Sequence, residues 1–240
     1  MVRELSLLMQ AIVLAGGKGE RLRPFTADRP KAMVEVHGVP LLAYQLRWLR
    51  EQGVDQVVIA CGYRHEVLQD YFADGASWGL TIDYSIEAEP LGRGGALKQA
   101  FSALRASVAP CVATNGDVVT DLPLGPVVQE HQRGQAAATV VVTPLRSPYG
   151  IVELDESNRV RRFREKPELP FWINAGVYVL SRGILPLLPE RGDHEDTTFP
   201  RLAVEGRLAA YPSRAFWRGV DTVKDLEEVA AILSPGALHR

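Results

Sequence analysis

Apolar positions along this chain follow two alternating rhythms. Gln10–Ala15 is a short, almost wholly apolar run that predicts a buried strand, and Gln56–Ala60 and Pro110–Thr114 read the same way. Leu42, Leu46 and Leu49 fall on one helical face opposite Arg47, Arg50 and Glu51, with Pro40 as the first helical residue and Gly53 as the stop. Val67, Leu68, Tyr71 and Phe72 predict a second helix, and Leu97, Ala100, Phe101 and Leu104 a third. Leu80–Ile86 alternates with period two, as a strand does. Strand and helix trading places in units of about 30 residues predicts a parallel sheet covered on both faces.

After residue 135 the rhythm changes. Ala136–Thr143, Gly150–Leu154, Val160–Phe163 and Asn174–Leu180 predict strands with few helices between them. A helix over Thr197–Glu205 is compatible with the pattern, although Pro200 disturbs its start. Short strands near Leu208–Tyr211 and Phe216–Val220 follow. A last helix over Val223–Leu233 opens on a capping box made by Thr222 and Asp225. The expected organisation is an extension over residues 1–8 and one domain over 9–240, with a nucleotide-type half (9–135) and a more irregular half (136–240).

Composition narrows the partners. The 240 residues are 46% hydrophobic and 23% charged with a net charge of −2, which excludes a disordered chain and gives no global field for nucleic acid or an anionic membrane. No run of about 18 apolar residues is present, so no membrane-spanning helix is expected. Cys61 and Cys111 are the two cysteines, each in an apolar run and outside any metal-ligand spacing. A reducing cytoplasmic setting is expected. His37, His65, His131, His194 and His239 are scattered and receive no chemical role.

The chemistry gathers after the first strand, in Leu14-Ala-Gly-Gly-Lys-Gly-Glu-Arg-Leu-Arg-Pro-Phe-Thr26. Gly16, Gly17 and Gly19 let backbone N–H groups approach anionic oxygens, although their spacing fits neither a P-loop nor a dinucleotide fingerprint. Lys18, Arg21, Arg23, Arg29 and Lys31 crowd into the 14 residues 18–31, against Glu20 and Asp28. In open α/β sheets ligands sit outside the carboxyl ends of the strands, where this loop must lie, and polyphosphate is the favoured ligand. Asp117 follows another buried strand in the turn Asn115-Gly-Asp117. It is either a conformational turn residue or half of a carboxylate pair.

These motifs, in this order, resemble the sugar-1-phosphate nucleotidyltransferase (nucleotide-sugar pyrophosphorylase) family from Met9 onward. The glycine-rich loop with Arg29-Pro-Lys31, the segment Glu89-Pro-Leu-Gly-Arg-Gly-Gly-Ala-Leu97, Asn115-Gly-Asp117, Phe163-Arg-Glu-Lys-Pro167 and Ile173-Asn-Ala-Gly176 carry the likeness. It implies a three-layer α/β/α Rossmann-like nucleotide-diphospho-sugar transferase fold with a mixed, mainly parallel sheet. It also implies Mg²⁺ as cofactor and, as substrates, a nucleoside triphosphate and a sugar 1-phosphate. Arg21, Lys31, Asp117 and Lys166 would be catalytic. Leu14, Gly16, Gly17, Gly19, Glu89 and Gly94 would bind the nucleotide. Gly150, Glu165, Asn174 and Gly176 would bind the sugar phosphate, with Trp172 either stacking on a ligand or packing.

One departure stands out. Where the family reads Trp-x-Asp-x-Gly-Thr, this chain has Trp217-Arg-Gly-Val-Asp-Thr222, so Gly219 stands at the usual aspartate position. Positions two apart on a strand share a face, and Asp221 is expected to supply the second metal carboxylate. Its alternative role is to favour the amino end of the helix that follows. The run of motifs looks most like mannose- or heptose-1-phosphate guanylyltransferases. Glu89 would meet guanine or serve as a surface charge. Thymidylyl-, uridylyl- or cytidylyltransferases on glucose- or amino-sugar 1-phosphates stay open, as does a non-catalytic nucleotide-sugar-binding subunit.

Overall fold

A computed structural model describes residues 9–105 and 110–233; residues 1–8 lie outside them. The chain runs β1 (Met9–Leu14), β2 (Glu35–Val36), β3 (Val39–Pro40), α1 (Leu41–Glu51), β4 (Val54–Cys61), α2 (His65–Phe72), β5 (Thr81–Ile86) and α3 (Gly92–Ala100). It continues with β6 (Cys111–Asn115), β7 (Val118–Thr120), α4 (Leu124–Gly134), β8 (Ala138–Arg146), β9 (Ile151–Leu154) and β10 (Val160–Arg164). Last come β11 (Glu168–Leu180), α5 (Thr198–Val204), β12 (Leu208–Pro212), β13 (Trp217–Gly219) and α6 (Val223–Ile232).

Seven strands form the main sheet in the order β12-β8-β11-β6-β1-β4-β5. All pairings are parallel except those of β11, which runs against both β6 and β8. Both halves of the chain therefore share one mixed, mainly parallel sheet. Side chains of β1 alternate between its faces. Ala11 and Val13 join a core built with Leu42 and Leu46 of α1, Phe72 of α2 and Val127 of α4. Ile12 joins the opposite core with Leu97 of α3 and Phe199 of α5. Two dry cores on one sheet are the three layers expected of this pattern.

Several boundaries differ from the sequence pattern, each for a local reason. Pro40 ends a short strand and caps α1 rather than opening it. The third helix ends at Ala100 and tightens into a 3₁₀ turn over Phe101–Ala103, leaving Leu104 extended. Pro200 sits in the first turn of α5, where its missing N–H costs no helical bond. β11 begins six residues before Asn174, and Pro170 falls where its register with β8 is interrupted. Helix α4 lies in a stretch the pattern left unassigned, although Leu124, Val127, Val128 and His131 form a buried stripe at helical spacing. The change of rhythm at residue 135 falls between α4 and β8.

Candidate active site

The carboxyl ends of β1, β4 and β6 open into a cleft of about 330 Å³. Leu14, Gly16 and Gly17 form one wall, Asn115 and Asp117 another, and Glu87, Pro90, Gly92 and Arg93 a third. The glycine-rich loop stays close to the sheet: Lys31 N donates to Gly17 O, and Thr26 Oγ1 to Gly19 O. Gly19 has a left-handed φ of 64°, and a Cβ there would come within 2.9 Å of the Lys31 Cβ. That glycine seats Lys31 rather than lining the cleft.

Lys31 joins the two aspartates. Its Nζ donates to Asp117 Oδ2 and, at 2.6 Å, to Asp221 Oδ1. Arg21 Nη2 donates to the same Asp221 oxygen at 2.8 Å. The Lys31 side chain is 13% exposed against 71% for Arg21, so the lysine is the fixed charge and the arginine the swinging one. Burial pushes the Asp221 carboxyl up, but the hydrogen bond and charge of Lys31 and the charge of Arg21 outweigh it and hold the group below the usual carboxylate range.

Strand register explains how Asp221 arrives. β13 pairs antiparallel with β7, Gly219 lies opposite Val118, and Val220 N donates to Asp117 O. The next residue is then beside Asp117. The Thr222–Asp225 capping box forms as the sequence predicts, with Thr222 N and Oγ1 both donating to Asp225 Oδ2. That box is made by Asp225, which leaves the Asp221 side chain to Lys31 and Arg21. Two carboxylates converging on one cation are a donor set of the kind Mg²⁺ takes together with phosphate oxygens. Among the described residues no group of three or more His, Cys, Asp or Glu suits a metal.

The Glu89–Leu97 segment differs from the expectation. Glu89 is exposed and paired with Arg191 at 2.8 Å, and Glu87, two residues earlier, lines the cleft beside Asp117 and Asp193, its Oε2 accepting from Leu91 N. Gly94 is buried inside α3, and a Cβ there would meet Pro189 Cγ at 2.7 Å and Gly192 O at 2.8 Å. Its smallness serves the approach of the 189–194 segment, not that of a ligand. Arg93, Asp193 and Glu87 line or flank the cleft without having been marked as site residues. Arg93 lies inside the segment that carries the resemblance, whereas no local motif points to residue 193.

Of the residues expected at the sugar phosphate, Asn174 and Gly176 lie on the antiparallel strand β11, and Gly150, Glu165 and Lys166 flank the β9–β10 hairpin. Gly176, at φ 66°, lets β11 pass Asn115; a Cβ there would lie 2.6 Å from the Asn115 Nδ2. Asn174 is oriented by two bonds, accepting from Gly176 N and donating to Tyr178 Oη. A Cβ on Gly150 would come within 3.0 Å of Glu165 Oε2 and closer still to the Phe163 ring, so the β9–β10 hairpin folds onto this glycine. Lys166 sits in the β10–β11 turn with a left-handed φ of 44°, exposed and with no ion pair to a described residue. Trp172 is half exposed, with the Arg214 guanidinium 5.8 Å from its ring centre. Trp217 Nε1 donates to Ala175 O, which ties the strand leading to Asp221 onto this same segment.

Mannose-1-phosphate guanylyltransferase of Mycobacterium tuberculosis is 34% identical over 236 residues, 95% of this chain and 65% of that protein. The catalytic subunit beta of mannose-1-phosphate guanylyltransferase from Drosophila pseudoobscura pseudoobscura is 36% identical over 222 residues, 90% of this chain and 60% of that protein. The chain thus spans less than two thirds of the length of these curated relatives. Among solved structures, HddC from Yersinia pseudotuberculosis superposes with a TM-score of 0.76 at 26% identity, covering 95% of this chain and 100% of that one. The nucleotidyl transferase family model matches residues 10–234, and the chain belongs to that family.

Proposed function

We propose that this chain is a Mg²⁺-dependent guanylyltransferase that joins GTP to mannose 1-phosphate or a heptose 1-phosphate, giving a GDP-sugar and pyrophosphate. The convergence of Asp117 and Asp221 on Lys31 beside the glycine-lined cleft is the observation that carries it. The guanylyltransferase names of relatives at 34–36% identity support the choice of base and sugar. A phosphate oxygen of the sugar 1-phosphate attacks the α-phosphorus, the α–β bridging bond breaks, and its electron pair leaves with pyrophosphate.

The attacking phosphate is largely dianionic at neutral pH, with a second pKa of about 6, so no side chain need take a proton from it. The obstacle is repulsion between two polyanions, and the residues answer it with positioning and charge. Asp117 and Asp221 would hold Mg²⁺, which supplies charge neutralisation at the reacting phosphates. Lys31, freed from its carboxylates, lies over the phosphate chain. Arg21, exposed at the rim, takes the departing pyrophosphate. Lys166 holds the sugar phosphate in line, with Glu165 and Asn174 on sugar hydroxyls. Gly16 and Gly17 leave backbone open to the nucleotide. Cys61 and Cys111 are buried and free, which suits a reducing cytoplasm.

Pyrophosphate release across GTP, dTTP, UTP, CTP and ATP, each with several sugar 1-phosphates, tests the reading. GTP with mannose 1-phosphate or a heptose 1-phosphate is expected to lead. Absence of pyrophosphate from every pair, with nucleotide binding retained, would replace catalysis by nucleotide-sugar binding.

A further inference from the structure

Behind the cleft, one buried oxygen joins the two halves of the site. Glu195 Oε1 accepts from Arg93 Nη1 at 2.9 Å and from Tyr178 Oη at 3.1 Å. Arg93 lines the nucleotide cleft at the start of α3, and its other nitrogens are taken by Asp193 at 2.8 Å. Tyr178 is fully buried on β11, and its oxygen accepts from Asn174 Nδ2 at 2.9 Å. The connection therefore runs from the wall that faces the nucleotide, through Glu195, to the side chain placed at the sugar.

The loop that carries Glu195 is bolted to α3. Gly192 N donates to Leu91 O at 2.7 Å, and Gly94 N donates to Gly192 O at 2.9 Å. Glu195 itself does not line the cleft, and its Oε2 is buried with no hydrogen-bond partner. A largely buried carboxylate whose second oxygen has only His194 Nδ1 near it, at 3.4 Å, stabilises little, because desolvation offsets what the ion pair gains. Its one satisfied oxygen is shared between two elements that carry different substrates.

Resting on the proposed guanylyltransferase reading, we propose that Glu195 is a positioning residue that sets the nucleotide wall, through Arg93, and the sugar-side Asn174, through Tyr178, in one mutual geometry. Glu195 touches neither substrate. Its effect is felt as a linked loss of affinity for both when it is removed, whereas Tyr178 transmits only to the sugar side.

The test is steady-state kinetics with separate KM values for GTP and the sugar 1-phosphate, alongside unfolding midpoints. Tyr178→Phe deletes one hydroxyl; it is expected to raise KM for the sugar 1-phosphate about three- to ten-fold, the scale of one hydrogen bond, and leave KM for GTP within about two-fold. Glu195→Ala is expected to raise both KM values, and Glu195→Gln, which keeps an acceptor for both donors, to recover most of the loss. If Glu195→Ala does not fold, Glu195→Gln and Tyr178→Phe decide. A purely structural role predicts lower midpoints and less active protein with both KM values unmoved, and that outcome overturns the inference. Wild-type turnover with unmoved variants sinks the inference alone. A wild type inactive with every nucleotide and sugar sinks the functional reading and this inference with it.

Discussion

Lys31 and Asp221, 190 positions apart in the chain, meet in a 2.6 Å ion pair whose ammonium also serves Asp117. One nitrogen thus gathers acidic groups from the ends of two different strands. Lys31→Met is expected to lower kcat by about 10²–10³-fold, the cost of losing one preorganised charge contact at developing negative charge. Its effect on the unfolding midpoint should be modest, since Asp221 is 46% exposed and water screens the carboxylate left behind. Pyrophosphate release and thermal unfolding on the same samples check both halves.

Asp221 stands two residues beyond the position where the family places its aspartate, and an exchange of the two residues examines that shift. Asp221→Asn is expected to cost about 10²-fold or more in turnover. Adding Gly219→Asp to that variant should recover part of it. Residues two apart share a strand face, Gly219 has no left-handed φ, and a Cβ there meets nothing nearer than Trp217 Cζ2 at 3.6 Å. No recovery would mean that Gly219 faces away from the ion-binding carboxylates.

Gly95→Ala would drive a Cβ to 2.6 Å from Glu190 O, a backbone atom with no flexible end to give. The expected cost is about 1–3 kcal/mol, read as a lowered melting midpoint, with KM for the nucleotide rising as the start of α3 moves. Gly125→Ala in α4 is the control. Nothing lies within 4 Å of its Cβ, and the change should be neutral or stabilising by up to about 1 kcal/mol.

His194 is fully buried, and burial, reinforced by the charge of Arg93, pushes its pKa from 6.5 to about 4. The folded state thus holds the ring neutral where the unfolded chain would protonate it. Stability is fully present above about pH 6.5 and falls by up to about 1.4 kcal/mol per pH unit as pH drops toward 4. Burial lowers His131 as well, with the same sign. Neither ring nitrogen of His194 has a hydrogen-bond partner, so His194→Leu forfeits no such bond. Urea unfolding at pH 7.5 and pH 5 should show the variant gaining on the wild type as pH falls.

What the sequence disclosed followed from local physics. The apolar runs that became β1, β4 and β6 are buried, so their composition alone marks them. The Thr222–Asp225 box is contained in one helical turn and forms as written. Asp221 lies beyond the end of β13, so its approach to Asp117 depends on Val220 N pairing with Asp117 O, a contact across the chain that strand periodicity does not disclose. Glu89 reads from the sequence as a guanine contact or a surface charge, and nothing in a motif says that Glu87 is the nearby carboxylate that turns inward. That choice depends on Leu91 N reaching back to Glu87 and on Arg191, 102 positions away, pairing with Glu89. Gly94 reads as a nucleotide-binding glycine, because a sequence shows that backbone comes close there but not to what. Helix α4 was hidden by Gly125 and Pro126 at its start, two helix-poor residues that its first turn tolerates.

The reversed course of β11 also bears on how the proposed activity would change its choice of sugar. Every other strand in the main sheet runs the same way as β1, β4 and β6, which reach the cleft as the chain leaves the interior, but β11 runs the opposite way and passes Asn174 and Gly176 just ahead of a wholly buried stretch from Val177 to Leu180. The β9–β10 hairpin upstream leaves the sheet at the end of β8 and rejoins it at the start of β11, where Arg146 pairs with Glu168, and its own two strands pair with each other. Substitutions in it can reshape what the acceptor end accepts, while the donor end, hung on the parallel strands, keeps its form.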